Sequence, residues 1–362
     1  MARPSNRRRA TLFSRLLVVA LFITFDLVMF GAFVRISDAG LGCPDWPGCY
    51  GNVSPLGAMQ DIRAEALERP HGPVTVFKAW VEMLHRYIAG ALGLLIIVLA
   101  WLAWRAGRRR GHAASVSQGV HGPADPSTGL ALFTLAWVIL QGLFGMWTVT
   151  LRLQPAVVTA HLLGGIILFA LLLMQRNRVS DHPPLSPDAG RFRPWAALAL
   201  LLLFVQIALG GWVSSNYATL ACRDFPVCQG SWWPSMDFAA GFEVWRPLGK
   251  TADGAGLPFP ALTAIHYAHR LMAYAVLTLI GVLAWRVRRV AGLERVGTWL
   301  LLVLLAQLIT GLTNIFLDWP MAAAVLHTGG ATALVGGLLM LDFRSAMALR
   351  APSFVPNTQP VE

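Results

Sequence analysis

The sequence predicts an all-α membrane protein of eight transmembrane helices, built as two tandem, pseudo-symmetric four-helix bundles. Three observations lead there. Of the 362 residues, 56% are hydrophobic and only 13% charged, and mean hydropathy is +0.58, too apolar for an ordinary soluble domain. Eight stretches reach the roughly 20 apolar residues that a helix needs to cross the hydrocarbon core. The second half of the chain also repeats the landmarks of the first.

The apolar stretches lie at 12–34, 81–104, 129–150, 156–175, 194–214, 263–285, 297–317 and 321–343. The first follows Arg7, Arg8 and Arg9 and has Arg15 near its start, so its apolar run is led by basic residues as the core of a signal peptide would be. It is longer than such a core and lacks a convincing small-residue cleavage site, so it is expected as a retained helix. The first and fifth stretches carry Gly31-Ala32-Phe33-Val34 and Gly210-Gly211-Trp212-Val213, 179 positions apart, and Cys43 with Cys49 recurs at the same offset as Cys222 with Cys228. The second and sixth carry His85-Arg86 and His269-Arg270 at an offset of 184. In the third and seventh, Gln141 with Gly145 and Gln307 with Gly311 precede the histidines of the fourth and eighth, His161 and His327, each glutamine by 20 residues. The halves are therefore expected to divide at 1–180 and 181–362, in the same orientation because each contains an even number of spans.

Net charge is +11, but its distribution follows topology and gives no reason to expect a nucleic-acid partner. With the N-terminus in the cytoplasm, 19 of the 29 Lys and Arg fall inside, which is the positive-inside bias and places both termini in the cytoplasm. All four cysteines then face outward, where disulfides are permitted. The outer stretches 35–80 and 215–262 hold Trp46, Trp232, Trp233 and Trp245 and suit the membrane interface. The inner segments 105–128, 176–193 and 344–362 show no apolar period and are expected as linkers and a loose tail, and His71, His112, His121 and His182 as solvated loop residues.

An ionisable residue in a span is a functional hypothesis by default. His85, His161, His269 and His327 lie near the outer ends of even-numbered spans, at similar depth. Two neutral imidazoles facing each other across a bundle can ligate a haem iron axially, and two halves provide two such sites. A zinc or copper site is a weaker reading, because each half offers two histidines and no thiolate at that depth. Arg86 and Arg270 suit either a haem propionate or an outward-snorkelling position. Glu82 lies one turn outward of His85, on the same face. Its counterpart is His266, so the two sites are expected to differ, one reacting and the other transferring electrons. A helix-end acid is the alternative for Glu82, and a solvated or hydrogen-bonded interfacial residue the alternative for His266. The cysteine pairs read as loop-closing disulfides or as redox pairs. Gln141, Gln206 and Gln307, each four residues before a glycine, are assigned to helix packing.

Val34-Arg35, Gly40-Leu41, the run Cys43-Pro44-Asp45-Trp46-Pro47-Gly48-Cys49, Glu82 with His85-Arg86, and then His161, His269-Arg270 and His327 together resemble the haem A synthase family over nearly the whole chain. The resemblance implies oxidation of the C8 methyl of haem O to a formyl group, giving haem A for terminal oxidases, in the bacterial cytoplasmic membrane. It further implies substrate ligands His85 and His161, a catalytic Glu82, a haem B cofactor on His269 and His327, and a redox or haem-handover role for Cys43 and Cys49. Partners on this reading are haem O, haem O synthase, an electron carrier, membrane lipid and a second copy of the chain. A two-haem b-type electron-transfer protein, which needs four histidines but no reactive Glu82, is the alternative, and a haem carrier or transporter, which needs weak and exchangeable ligation, is a third reading.

Overall fold

The computed structural model describes residues 4–70, 72–110 and 126–350. Eight helices are long and apolar enough to cross a membrane, and among the described residues there is no β-strand beyond isolated bridges. The spans are α1 (Pro4–Ile36), α3 (Val76–Arg110), α4 (Thr128–Thr150), α5 (Pro155–Arg178), α6 (Arg193–Ser215), α8 (Phe259–Val287), α9 (Glu294–Phe316) and α10 (Met321–Arg350); α2 (Met59–Glu68) and the single turn α7 (Phe238–Gly241) lie in the long loops. His71, His112 and His121 lie outside the described residues.

Helices α1, α3, α4 and α5 pack in a closed ring, each against the next and α5 back against α1. Helices α6, α8, α9 and α10 repeat that ring, and the two meet along α1, α5, α6 and α10. This order is consistent with tandem pseudo-symmetry. Phe13, Leu17, Leu92, Ile96, Leu99, Leu168 and Leu172 fill the core of the first ring. A larger core in the second, centred on Leu203, Ile280, Leu300 and Leu338, reaches across to Val28 and Ile166. The repeat extends to the backbone. Positive φ recurs at Asp38 and Tyr217, at Tyr50 and Gln229, and in the short turns at Arg152-Leu153 and Asp318-Trp319.

Hydropathy placed the spans but trimmed their ends, because charged and polar residues continue a helix into the interface. Helix α3 begins five residues before its apolar stretch, and α10 runs seven residues past its own. The expected loose tail is thereby corrected for 344–350. Arg344 is buried and donates to the carbonyls of Pro183 (2.9 Å) and Gly292 (3.3 Å), so it ties the last turns of α10 to the two loops at that end of the bundle. The linker 176–193 is likewise partly built in: α5 runs to Arg178, and Ala189 and Phe192 of a short 3-10 turn enter the core. His182 is not a free solvated side chain, since its Nε2 bonds the Asn177 carbonyl at 2.7 Å. At the same end Arg105 lies over Trp101 and Arg289 over Trp285, cations held on interfacial aromatic rings.

At the other end each long loop begins with a disulfide-closed turn. Cys43 bonds Cys49 and Cys222 bonds Cys228, and within each ring a carboxylate caps the turn. Asp45 accepts from the amides of Tyr50 (2.6 Å) and Gly51 (2.8 Å), as Asp224 does from Gln229 (2.8 Å) and Gly230 (2.7 Å). The first turn seats on α3 through Gly42, where a Cβ would stand 2.5 Å from the carbonyl carbon of Lys78 and 2.6 Å from the amide nitrogen of Ala79. Backbone at that distance cannot give way. Gly42→Ala is therefore expected to lift the loop and cost about 1–3 kcal/mol, read as a lower melting temperature in detergent. Gly90→Ala, where nothing lies within 4 Å, should leave the melt unchanged or raise it; equal melts for the two variants would refute the seating.

Candidate haem sites

Each of the four spanning histidines lies against a glycine of the preceding span. A Cβ on Gly31 of α1 would stand 3.2 Å from His85 of α3, one on Gly145 of α4 3.3 Å from His161 of α5, one on Gly210 of α6 3.1 Å from His269 of α8, and one on Gly311 of α9 3.4 Å from His327 of α10. Any larger residue would push the ring aside. All four imidazoles are half-buried. His85 and His161 are electrostatic neighbours, as are His269 and His327, so the structure brings together the two pairs expected from the sequence.

Hydrogen bonds orient the rings. Nδ1 of His327 lies 2.9 Å from Thr310 Oγ1, and that hydroxyl donates to the Ala306 carbonyl at 2.9 Å. A hydrogen bond from Nδ1–H to Oγ1 would leave the Nε2 lone pair free, the arrangement in which a metal-binding imidazole is usually held. Gln141 reaches Nδ1 of His161 at 3.1 Å and the His161 carbonyl at 2.7 Å. Gln206 approaches Nε2 of His269 at 3.4 Å, and Gln307 donates to the His327 carbonyl at 2.9 Å. Nδ1 of His269 is buried without a protein partner. The three glutamines thus do mark helix crossings, but the group they cross to is the histidine. The constant 20-residue spacing from Gln141 to His161 and from Gln307 to His327 carried that signal.

Glu82 is buried, and both carboxylate oxygens are engaged. Oε2 accepts from the amide of Cys43 at 2.8 Å and Oε1 from Arg86 at 2.5 Å. Its place is the seventh position of α3, past the first turn where an acid offsets the macrodipole. Arg86 also donates to the carbonyls of Asp45 (2.9 Å), Pro47 (3.3 Å) and Gly48 (2.6 Å). Arg270 donates to Val227 (2.9 Å) and Cys222 (2.7 Å). Both arginines therefore hold a disulfide-closed turn over their own histidine. At the counterpart of Glu82, His266 is buried and its Nδ1 lies 2.9 Å from the Ala218 carbonyl.

The family model of the cytochrome oxidase assembly proteins, COX15-CtaA, matches residues 14–339, and a haem A synthase of Shewanella oneidensis is 36% identical over 331 residues, covering 91% of this chain and 95% of its own. The chain belongs to the haem A synthase family. Similar too are the haem A synthases of Allorhizobium ampelinum, 25% identical over 91% of this chain and 89% of theirs, and of Halalkalibacterium halodurans, 25% identical over 83% and 86%. In this member of the haem A synthase family the glycine contacts set the positions of the rings. Gly210→Val is expected to displace His269 and cost about 1–3 kcal/mol, whereas Gly142→Val, with nothing within 4 Å of its Cβ, should cost less than about 1 kcal/mol. Comparison of their melts in detergent checks this.

Proposed function

We propose that the protein is a haem A synthase that oxidises the C8 methyl of haem O to a formyl group. The N-terminal half, 1–180, takes the substrate haem between His85 and His161. The C-terminal half, 181–362, holds haem B between His269 and His327. The observation that carries this reading is the imidazole laid against glycine four times over, in two pairs, in a chain whose relatives are haem A synthases.

The residues fit haem on three grounds. Each ring occupies a cradle that a Cβ would fill, Nδ1 of His269 is a buried nitrogen without a protein partner, and neutral imidazole pairs are the donor set of b-type haem. Bound haem B supplies one-electron redox chemistry. The histidines of the first half fix the substrate, and the disulfide-closed turn covers that end of the bundle. Glu82 is the proton-handling group: its oxygens accept from the Cys43 amide and from Arg86 and keep lone-pair capacity for a proton released as the methyl is oxidised. Arg86 and Arg270 act as clamps on the turns, each donating to carbonyls of the loop that precedes its helix. The cysteine pair 43–49 keeps the amide bonded to Glu82 in place.

Conversion of a methyl to a formyl group adds an oxygen atom as well as removing hydrogen, so the reaction draws on water or dioxygen for that atom and on a redox partner to balance the electrons; an electron carrier is the expected redox partner, and haem O synthase the expected supplier of substrate. The positive-inside bias supports a bacterial cytoplasmic membrane location with both termini in the cytoplasm. A two-haem electron-transfer protein would have no use for the difference between Glu82 and His266.

The test is to express the chain with and without a source of haem O, extract its haems and separate them with mass detection. Haem A appearing only with haem O supports the synthase; haem B alone in both samples supports electron transfer. Glu82→Ala is expected to lower haem A output by about 100-fold or more while the haem B spectrum stays intact, and undiminished output would remove Glu82 from the chemistry. His269→Ala and His327→Ala should each deplete the low-spin haem B signal.

A further inference from the structure

The boundary between the halves carries a polar cluster that the reaction as described does not use. At the outer end of α1, Arg35 donates from Nη2 to the carbonyl of Ser214 in the last turn of α6, at 2.9 Å, and from Nη1 to Asp38 at 2.8 Å. Its guanidinium lies over the ring of Tyr217, 4.4 Å from the centroid, and the Tyr217 hydroxyl donates to the same Asp38 oxygen at 2.8 Å. Partial burial pushes the pKa of that phenol up, which keeps it a donor. Arg35 and Ser214 are 179 positions apart, as are Asp38 and Tyr217, so the cluster joins equivalent points of the repeat. One half contributes the cation and the anion, the other a carbonyl and a phenol.

Its location relates it to both histidine pairs. Arg35 lies four residues outward of Gly31, the residue against His85, and Ser214 four residues outward of Gly210, the residue against His269. Four residues rise about 6 Å along a helix. A single cation thus sits about one turn beyond both contacts. Its side chain is 11% exposed and that of Asp38 49%, so water screens the anion more than the cation and the field reaching inward is net positive.

We propose that Arg35 is a positioning residue shared by the two sites, and that its charge, bonded across the boundary, raises the reduction potential of the haem held by His269 and His327 in the opposite half. The inference rests on the reading of that pair as the haem B site. A positive charge disfavours the ferric over the ferrous state, so removing it should favour oxidation.

The experiment is a spectroelectrochemical titration of the purified full-length holoprotein. Arg35→Ala is expected to shift the midpoint of haem B to more negative values, and Arg35→Lys, which keeps the charge and loses the fork, to stay near the wild-type midpoint. Asp38→Asn leaves the cation and removes its counter-charge, so it should shift the midpoint positive; this variant decides the matter if Arg35→Ala does not accumulate. An unchanged midpoint in Arg35→Ala or, where that variant is not obtained, in Asp38→Asn overturns the inference, as does a negative shift in Arg35→Lys as large as that in Arg35→Ala, which would assign the effect to packing. A wild-type protein without a haem spectrum would instead overturn the haem site on which the inference rests.

Discussion

The structure depends on the close approach of an imidazole ring to a helix that has no side chain at that point. Between spans surrounded by lipid there is little hydrophobic drive to associate, so association relies on small residues, van der Waals fit and hydrogen bonds. Gly31, Gly145, Gly210 and Gly311 each admit one ring, and at three of them, those against His161, His269 and His327, a glutamine of the same helix or Thr310 bonds that ring or its backbone. At His161 and His327 the polar group that is costly in a membrane is thus bonded by the same crossing that positions it.

The disulfide-bearing loops follow from this arrangement. The helix that carries the first histidine of each half also carries, one position on, the arginine that clamps the disulfide-closed turn. The turn and the ring are therefore referenced to one rigid element. Within this common plan Glu82 stands in one half where the other has His266. The carboxylate accepts from a loop amide, while the imidazole meets a loop carbonyl, so the loop backbone is presented differently to suit each.

Much of this was legible in the sequence. The eight spans, the repeat, the histidine pairs and the paired cysteines follow from hydropathy and spacing, because these signals are local or periodic. Helix ends were less legible, since Arg344 and the first turns of α3 and α8 are held by tertiary contacts that hydropathy does not register. The roles of Arg86 and Arg270 turn on which way a guanidinium points, and the loop carbonyls that decide it lie some 40 residues away in the chain. The link from Arg35 to Ser214 was invisible for the same reason, although the offset of 179 that relates them was already in view.

The register between the halves slips only where the chain leaves these elements. It is 179 through the disulfide-closed turns, 184 from α3 and α8 onward, and 166 from α4 and α9 to the end. The connection from α3 to α4 is thus a spacer whose length the fold does not dictate, in contrast to the turn from α4 to α5, which its counterpart matches residue for residue. For a protein engineer, a length that the repeat leaves free is the natural place to splice in a reporter or affinity domain.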